Sequence, residues 1–544
     1  MSFQLRIIAW SVAVLFAMPA AADVPIVRAP AGTVKGEADG AVNVFKGLPY
    51  ALPPVGAARW KPPVAMPVWS GVRDATKFGA SCIQPKSRTG SIYASDLGAI
   101  SEDCLFLNVW AEPGASNAPV MVWIHGGALT TGSSSEPMYN GAQLAERGVV
   151  VVSINYRLGV FGYLAHPQLS AESAAQISGN YGLLDQIEAL RWVKRNIAAF
   201  GGDPSNVTIA GESAGALSVM YLMTSPPARG LFHKAIAQSA YMISTPQLQQ
   251  ARFGEEAAEA IGAKIVAALG TQDLAALRAI DAEKLRDAAA RTGYFPLGTV
   301  DGRILPRQLV EVFDRGEQAP VPIIAGFNSG EIRSLRFLAP PVPRDAATYE
   351  AAIRSRYADL ADAFLKLYPS TNLEETLLAI SRDAMYGWTA ERLVAKQTAQ
   401  GQSGFLYLFD HGYPAAEAAG LHAFHAAELP YVFGTARRIT SLWPKIPETE
   451  TETKLSAAMM DYWTSFMRSG APSAAGLANW SAYGATRAHM IFDDQPRAGT
   501  HLMPGMYELN EEVVCRRRAN GTLSWNWNVG IVSPPLPPRA EACR

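Results

Sequence analysis

Net charge is almost absent from this chain. Its 47 Lys and Arg stand against 48 Asp and Glu, leaving a formal charge of −1. Without a long-range field to gather nucleic acid or an anionic membrane, the chain gives no sign of either partner, and a neutral or modest-sized substrate fits better. Past residue 22 no run is long and apolar enough to cross a bilayer, which takes ~20 apolar residues. Internal repeats and low-complexity linkers are missing too, so the chain reads as one large domain with helical insertions, not two independent units. Disorder as a global description is disfavoured by what is present: 49% hydrophobic residues with 17% charged, the composition of a globular enzyme with a large core.

The apolar segment near the start, "IIAWSVAVLFAM", is too short for a membrane anchor. Preceded by Arg6 and followed by Ala20-Ala21-Ala22, it reads as a signal peptide over residues 1–22, with a mature chain of 23–544 exported to the periplasm or secreted. Cysteine is scarce, with four in all, but the even number agrees with an oxidising compartment. Three pairings are open. The shortest loops favour Cys82 with Cys104 and Cys515 with Cys543, each bridge contributing roughly 3 kcal/mol by restricting the unfolded chain. The Pro-rich end "SPPLPPRAEAC" then becomes an extended strap held by Cys543.

Between Pro119 and Val207 short β-branched runs alternate with helical patterns. "VMVWI", "VVVVSI" and "NVTIA" have the length and bounding residues of buried strands. Between the last two, Leu183, Ile187, Leu190, Val193 and Ile197 recur at three- and four-residue spacing, the signature of an amphipathic helix. Strand, helix, strand in that order argues for a parallel sheet covered by helices. "KAIAQSA", "VPIIAGF" and "FLYLFD" predict further strands, separated by helical stretches such as Ala251 to Arg291.

Gly211-Glu212-Ser213-Ala214-Gly215 follows one of these strands and matches G-x-S-x-G, the nucleophile elbow. The glycines remove Cβ atoms where a strand would turn straight into a helix, leaving a serine hydroxyl protruding at the sheet edge. After the strand "VMVWI" stands His125-Gly126-Gly127-Ala128, a glycine-rich loop suited to lending amides to an oxyanion hole. Gly127, Ala128 and Ala214 are the expected donors, aimed at the oxygen that becomes anionic when an ester carbonyl is attacked.

The stretches "EDCLFLNVW", "HGGA", "NYRLGVFGYL", "GNYGLLDQIEALRWVKRNIAAFGGDPSNVTIAGESAGA" and "HAAELPYVFG" together resemble the type-B carboxylesterases, a branch of the α/β-hydrolases that also holds cholinesterases and the non-catalytic neuroligins. The resemblance runs from about Val27 to about Tyr507. It implies an α/β-hydrolase fold, with a large, mostly parallel central sheet flanked by helices. It also implies a serine carboxylesterase that needs no cofactor or metal and acts on a small-molecule ester. The implied triad is Ser213 as nucleophile, Glu331 as acid and His425 as base. The family pattern selects His425 over His422 by the Glu three residues on and the aromatic-Val-Phe-Gly run. At the acid the match is looser, with Gly330 before and Ile332 after, and Asp301 and Asp410 stay open as alternatives. The resemblance assigns Glu212 to shaping the pocket's field.

Two other readings use the same residues. His422-x-x-His425-x-x-Glu428 offers three metal ligands, although the familiar zinc pattern has histidines four apart. A neuroligin-like binding protein would keep the fold without the chemistry. A cholinesterase is disfavoured, because the loop "SRTGSIYASDLGAISED" has Tyr93 and no Trp of the kind that, in cholinesterases, holds a quaternary ammonium by cation–π attraction. Tyr93 is expected at the mouth of an apolar gorge.

Overall fold

Eleven strands build the main sheet of the computed structural model, which describes residues 24–86, 90–271, 273–526 and 528–543. The expected signal peptide, 1–22, lies outside them. In chain order the strands are β1 (Glu37–Asp39), β2 (Val42–Pro49), β3 (Phe106–Ala111), β4 (Ala118–Ile124), β5 (Val150–Ile154) and β6 (Gly202–Glu212). There follow β7 (Lys234–Gln238), β8 (Ile323–Asn328), β9 (Gly404–Phe409), β10 (Ala488–Phe492) and β11 (Pro496–Thr500). Across the sheet they run β11-β10-β9-β8-β7-β6-β4-β5-β3-β2-β1. From β10 to β5 every pairing is parallel; the pairings beyond, at both edges, are antiparallel.

The helices that matter here are α1 (Tyr181–Asn196), α2 (Ala214–Thr224), α3 (Trp388–Ala399), α4 (Glu450–Ser469) and α5 (Met506–Asn520). Alternate residues of the central strands serve two apolar layers. Val120, Val122 and Ile124 face the layer that contains Leu183, Ile187 and Leu190 of α1 and Leu217 of α2, with Leu393 of α3. Met121 and Trp123 face the other layer, with Met459, Trp463 and Phe466 of α4. Strands covered on both faces carry apolar residues at nearly every position, which is why they read as continuous runs.

The predicted strands and the helix after residue 181 are present, with shifted ends. The run "NVTIA" is the middle of a longer strand, β6. The stretch from Ala251 to Arg291 is not one helix: it contains Ala258–Ala268, Leu274–Ala279 and Ala282–Arg291. Asp273 and Asp281 cause the breaks, each accepting a backbone N–H from the turn that follows and so starting a new helix. Both local disulfides form, Cys82–Cys104 and Cys515–Cys543. The second ties α5 to the proline-rich end, where Leu536 N donates to Arg356 O at 2.7 Å.

Register decides what meets at the carboxyl edge of the sheet. Gly211 of β6 lies opposite Ile124 of β4, and Glu212 opposite Gln238 of β7. His125 and Ser213 therefore leave the sheet side by side. Asn328 of β8 pairs with Phe409 of β9, so the loops carrying Glu331 and His425 start from neighbouring positions. Open parallel sheets gather their sites at this edge.

Candidate active site

Ser213 follows β6 directly and precedes the first residue of α2, with φ of 56° and ψ of −122°. Side chains seldom adopt that backbone, and such strain persists only where the surroundings enforce it. Here enforcement comes from close packing. A Cβ on Gly215 would lie 2.0 Å from Ile124 O, and one on Gly211 2.5 Å from the Gly215 carbonyl carbon. Ser213 N is already engaged, donating to Gln238 O at 3.0 Å. Within the elbow Ser213 alone stays partly exposed; its neighbours from Gly211 to Gly215 are buried.

The loop after β4 crosses in front of this corner. Gly126 passes so near that a Cβ on it would stand 3.3 Å from Ser213 Cβ. Gly127, Ala128 and Leu129 all have positive φ, which turns successive amides to one side. Ala214 N, the first amide of α2, is among the donors that a helix leaves without an internal partner. His125 fixes the loop from below. Its ring stacks on Tyr156 at 4.6 Å, and the Tyr156 hydroxyl donates to His125 O at 2.8 Å. Its Nδ1 lies 2.9 Å from Gly126 O; since a carbonyl only accepts, Nδ1 carries the proton. Burial lowers the ring to about 4 and keeps it neutral.

Opposite stands a buried acid–base pair. Glu331 sits in a short turn after β8, fully buried. Its Oε1 accepts Asn328 N at 2.9 Å, and its Oε2 accepts His425 Nδ1 at 2.5 Å. The other ring nitrogen, Nε2, is 3.1 Å from Glu212 Oε1, one residue from Ser213. Burial works against a charged His425, but the carboxylates of Glu212 and Glu331 outweigh it and raise the ring to about 9. Glu212 moves the same way, lifted to about 8 by burial, although the imidazole pulls it back. The two compete for one proton and titrate as a unit.

A further carboxyl group backs this pair. Glu428 Oε1 accepts from Gln238 Nε2 at 2.9 Å and its Oε2 from Asn328 Nδ2 at 2.6 Å, while Trp463 Nε1 donates to Gln238 Oε1 at 3.1 Å. Burial, followed by the Glu331 carboxylate, raises Glu428 above the usual range. Tyr386, in a π-helical turn over Asp383–Gly387, places its ring 5.4 Å from that of His425. Sequence reasoning missed Gln238, Asn328 and Tyr386, because no spacing links them to the motifs; only the strand register and the π turn bring them near.

The rival residues are occupied elsewhere. His422 pairs through Nδ1 with Glu417 and through Nε2 with Asp410 at 3.1 Å. Asp301 Oδ1 accepts the amides of Arg303, Ile304 and Leu305, which organises its own loop. His422, His425 and Glu428 face different partners, and no group of three potential ligands is placed to hold a metal ion among the described residues. Tyr93 is half-buried, its hydroxyl 2.9 Å from His425 O and 2.7 Å from Ser334 Oγ.

Residues 23–508 match the carboxylesterase family model. The chain belongs to that family. This carboxylesterase-family chain is 35% identical over 508 residues to the fumonisin B1 esterase of Sphingopyxis macrogoltabida, covering 89% of this chain and 90% of that one. To the para-nitrobenzyl esterase of Bacillus subtilis it is 36% identical over 483 residues, 86% of this chain and 95% of that one. Among solved structures, a PNB esterase superposes with a TM-score of 0.78 at 35% identity, over 89% of this chain and 99% of the other. A Geobacillus stearothermophilus carboxylesterase gives 0.75 at 34%, with the same coverage. The fold is thus that of the α/β-hydrolase esterases, and this family member is a carboxylic-ester hydrolase.

Proposed function

We propose that the enzyme cleaves carboxylic esters through an acyl-enzyme, with Ser213 as nucleophile, His425 as base and Glu331 as its acid. The observation that carries this reading is the 2.5 Å bond between Glu331 Oε2 and His425 Nδ1, which leaves Nε2 turned toward the elbow. A serine hydroxyl is a poor nucleophile until its proton is removed. In the proposed sequence His425 Nε2 takes that proton as Ser213 Oγ attacks the ester carbonyl, while Glu331 holds the tautomer and stabilises the imidazolium. The carbonyl oxygen becomes anionic and is met by the amides of Gly127, Ala128 and Ala214. Each such donor is worth roughly 3 to 4 kcal/mol of barrier. The alcohol leaves with the proton from His425, and water repeats the cycle on the acyl-enzyme.

The same reading places the chain, over 23–544, in one catalytic unit exported to the periplasm or beyond, an assignment supported by two disulfides and no free cysteine among the described residues. The substrate is a small-molecule ester; the relatives named for fumonisin B1 and para-nitrobenzyl esters make bulky xenobiotic and toxin esters reasonable first substrates. A neuroligin-like binding role has less support, because the chain keeps Ser213 at the elbow and bonds His425 to Glu331. The test is Ser213→Ala, assayed on p-nitrophenyl esters of graded acyl length. The variant should fold with unchanged Tm and lose nearly all turnover, and a serine-directed organophosphate should label the parent only. Retained turnover would refute the mechanism.

A further inference from the structure

The segment closed by Cys82 and Cys104 supplies none of the groups proposed to do chemistry, yet it holds the loops that do. On one side it grips the glycine-rich loop. Gln84 Nε2 donates to Gly132 O at 2.9 Å while Gln84 Oε1 accepts Gly132 N at 2.9 Å, a reciprocal pair that mimics a strand contact. Gly132 in turn lies against His125: a Cβ there would stand 2.4 Å from its Nδ1. Just outside the disulfide, Ser81 Oγ lies within hydrogen-bond distance of Ser133 Oγ, at 2.9 Å.

On the other side the same segment reaches the acid and base loops. The Tyr93 hydroxyl touches both Ser334, three residues after Glu331, and the carbonyl of His425. A phenol has one proton and a carbonyl can only accept, so both contacts are satisfied together when Tyr93 donates to His425 O and receives the Ser334 proton. Thr440 Oγ1 donates to Ile92 O at 2.8 Å, beside it. The Tyr93 ring packs edge-on against Trp443 at 6.0 Å, and Trp443 lies on Phe424 at 4.8 Å, the residue before His425. Ala426, the residue after, has φ of 67°. A left-handed alanine is not a local preference, so the direction of the chain at His425 depends on tertiary partners. Tyr93 is a polar partner of that carbonyl.

We propose that Tyr93 is a positioning residue, which fixes the backbone of His425 and, through the loop tied by Cys82–Cys104, couples the base to the glycine-rich loop held by Gln84. Tyr93, expected along the gorge, also sets its hydroxyl against the backbone of His425. The proposal rests on the reading of His425 as base. Its ligand chemistry is internal, so the consequence is kinetic: a base displaced by a fraction of an ångström to 1 Å loses alignment with Ser213, and such displacements cost up to about a hundredfold in rate.

The test is Tyr93→Phe, which keeps the ring and removes the hydroxyl. Expected are a kcat on p-nitrophenyl butyrate lower by roughly ten- to a hundredfold, a KM unchanged within about twofold, and the acid limb of the kcat profile moved to lower pH as the imidazole slackens from Glu331. Stoichiometric organophosphate labelling should still reach completion, only more slowly. A kcat within about twofold of the parent overturns the proposal. So does a fall in kcat and Tm with no movement of the limb, which would mark a merely structural role. Should Tyr93→Phe fail to fold, 4-fluorophenylalanine at position 93 is read by the same criteria, since it keeps the ring and nearly its volume while removing the proton given to His425 O. His425→Ala separates the two failures: turnover retained there removes the base itself, whereas loss there with an unaffected Tyr93→Phe removes only the positioning role.

Discussion

Replacing Glu212 by Gln should shift the acid limb of the rate profile toward lower pH. The carboxylate oxygen lies 3.1 Å from His425 Nε2. At an effective dielectric of about 20, two unit charges at that distance attract by about 5 kcal/mol, an upper bound. The full figure is not available, because burial raises Glu212 itself to about 8, so near neutrality it holds a full charge only part of the time. A shift of about one to two pH units, or roughly 1.4 to 2.7 kcal/mol, follows. The sign comes from which form acts. Attack needs neutral imidazole, and anything that stabilises imidazolium delays its appearance to higher pH. With the ring raised to about 9 in the parent, the limb should lie above the ordinary histidine value near ~6.5. The same linkage acts on folding: the stability contributed by the raised His425 is complete below the unfolded histidine value and is lost as pH rises through about 9, while Glu212, raised by burial to about 8, adds a loss that sets in at lower pH. The assay is kcat/KM from pH 5 to 10, followed by pH-stat so that product absorbance does not interfere, with Ser213→Ala as blank. A limb that stays in place, or moves upward, would refute the electrostatic account of this pair.

Two further outcomes complete the set. Gly127→Ala would bring a Cβ within 2.2 Å of Thr131 O at a φ of 99°, so the loop must shift; turnover should fall by about a hundredfold or more while organophosphate-free protein keeps its far-UV circular dichroism. Unchanged turnover would remove Gly127 from the oxyanion site. His422→Gln should keep kcat within about twofold, because His422 is spent on Asp410 and Glu417; a tenfold fall would restore it as a rival base.

Much of this site was legible before any coordinates. The elbow could be read because its chemistry is local: Gly211 and Gly215 are required by contacts within a few residues of Ser213 or by the adjacent strand, and the sequence shows them as a five-residue pattern. His125 and its glycines are legible for the same reason. Glu331 was less so, since a buried glutamate in a turn looks like any other until its partner is known, and the looser match around it left Asp301 and Asp410 open as alternatives. The break-up of the stretch after Ala251 was missed because its composition favours helix throughout, while the side chains of Asp273 and Asp281 bid for backbone amides one at a time.

By itself the sequence determined the alternation of buried strands and amphipathic helices, the turn at Ser213 and a preference for local cysteine pairs, all of which depend on neighbours close along the chain. Only the tertiary structure decided that Glu331 meets His425, that Gln238 meets Glu428, and that the Tyr93 hydroxyl reaches the His425 carbonyl. Those pairings join residues separated by 94, 190 and 332 positions. Strand order and register set such distances, and neither is encoded in the residues that end up touching.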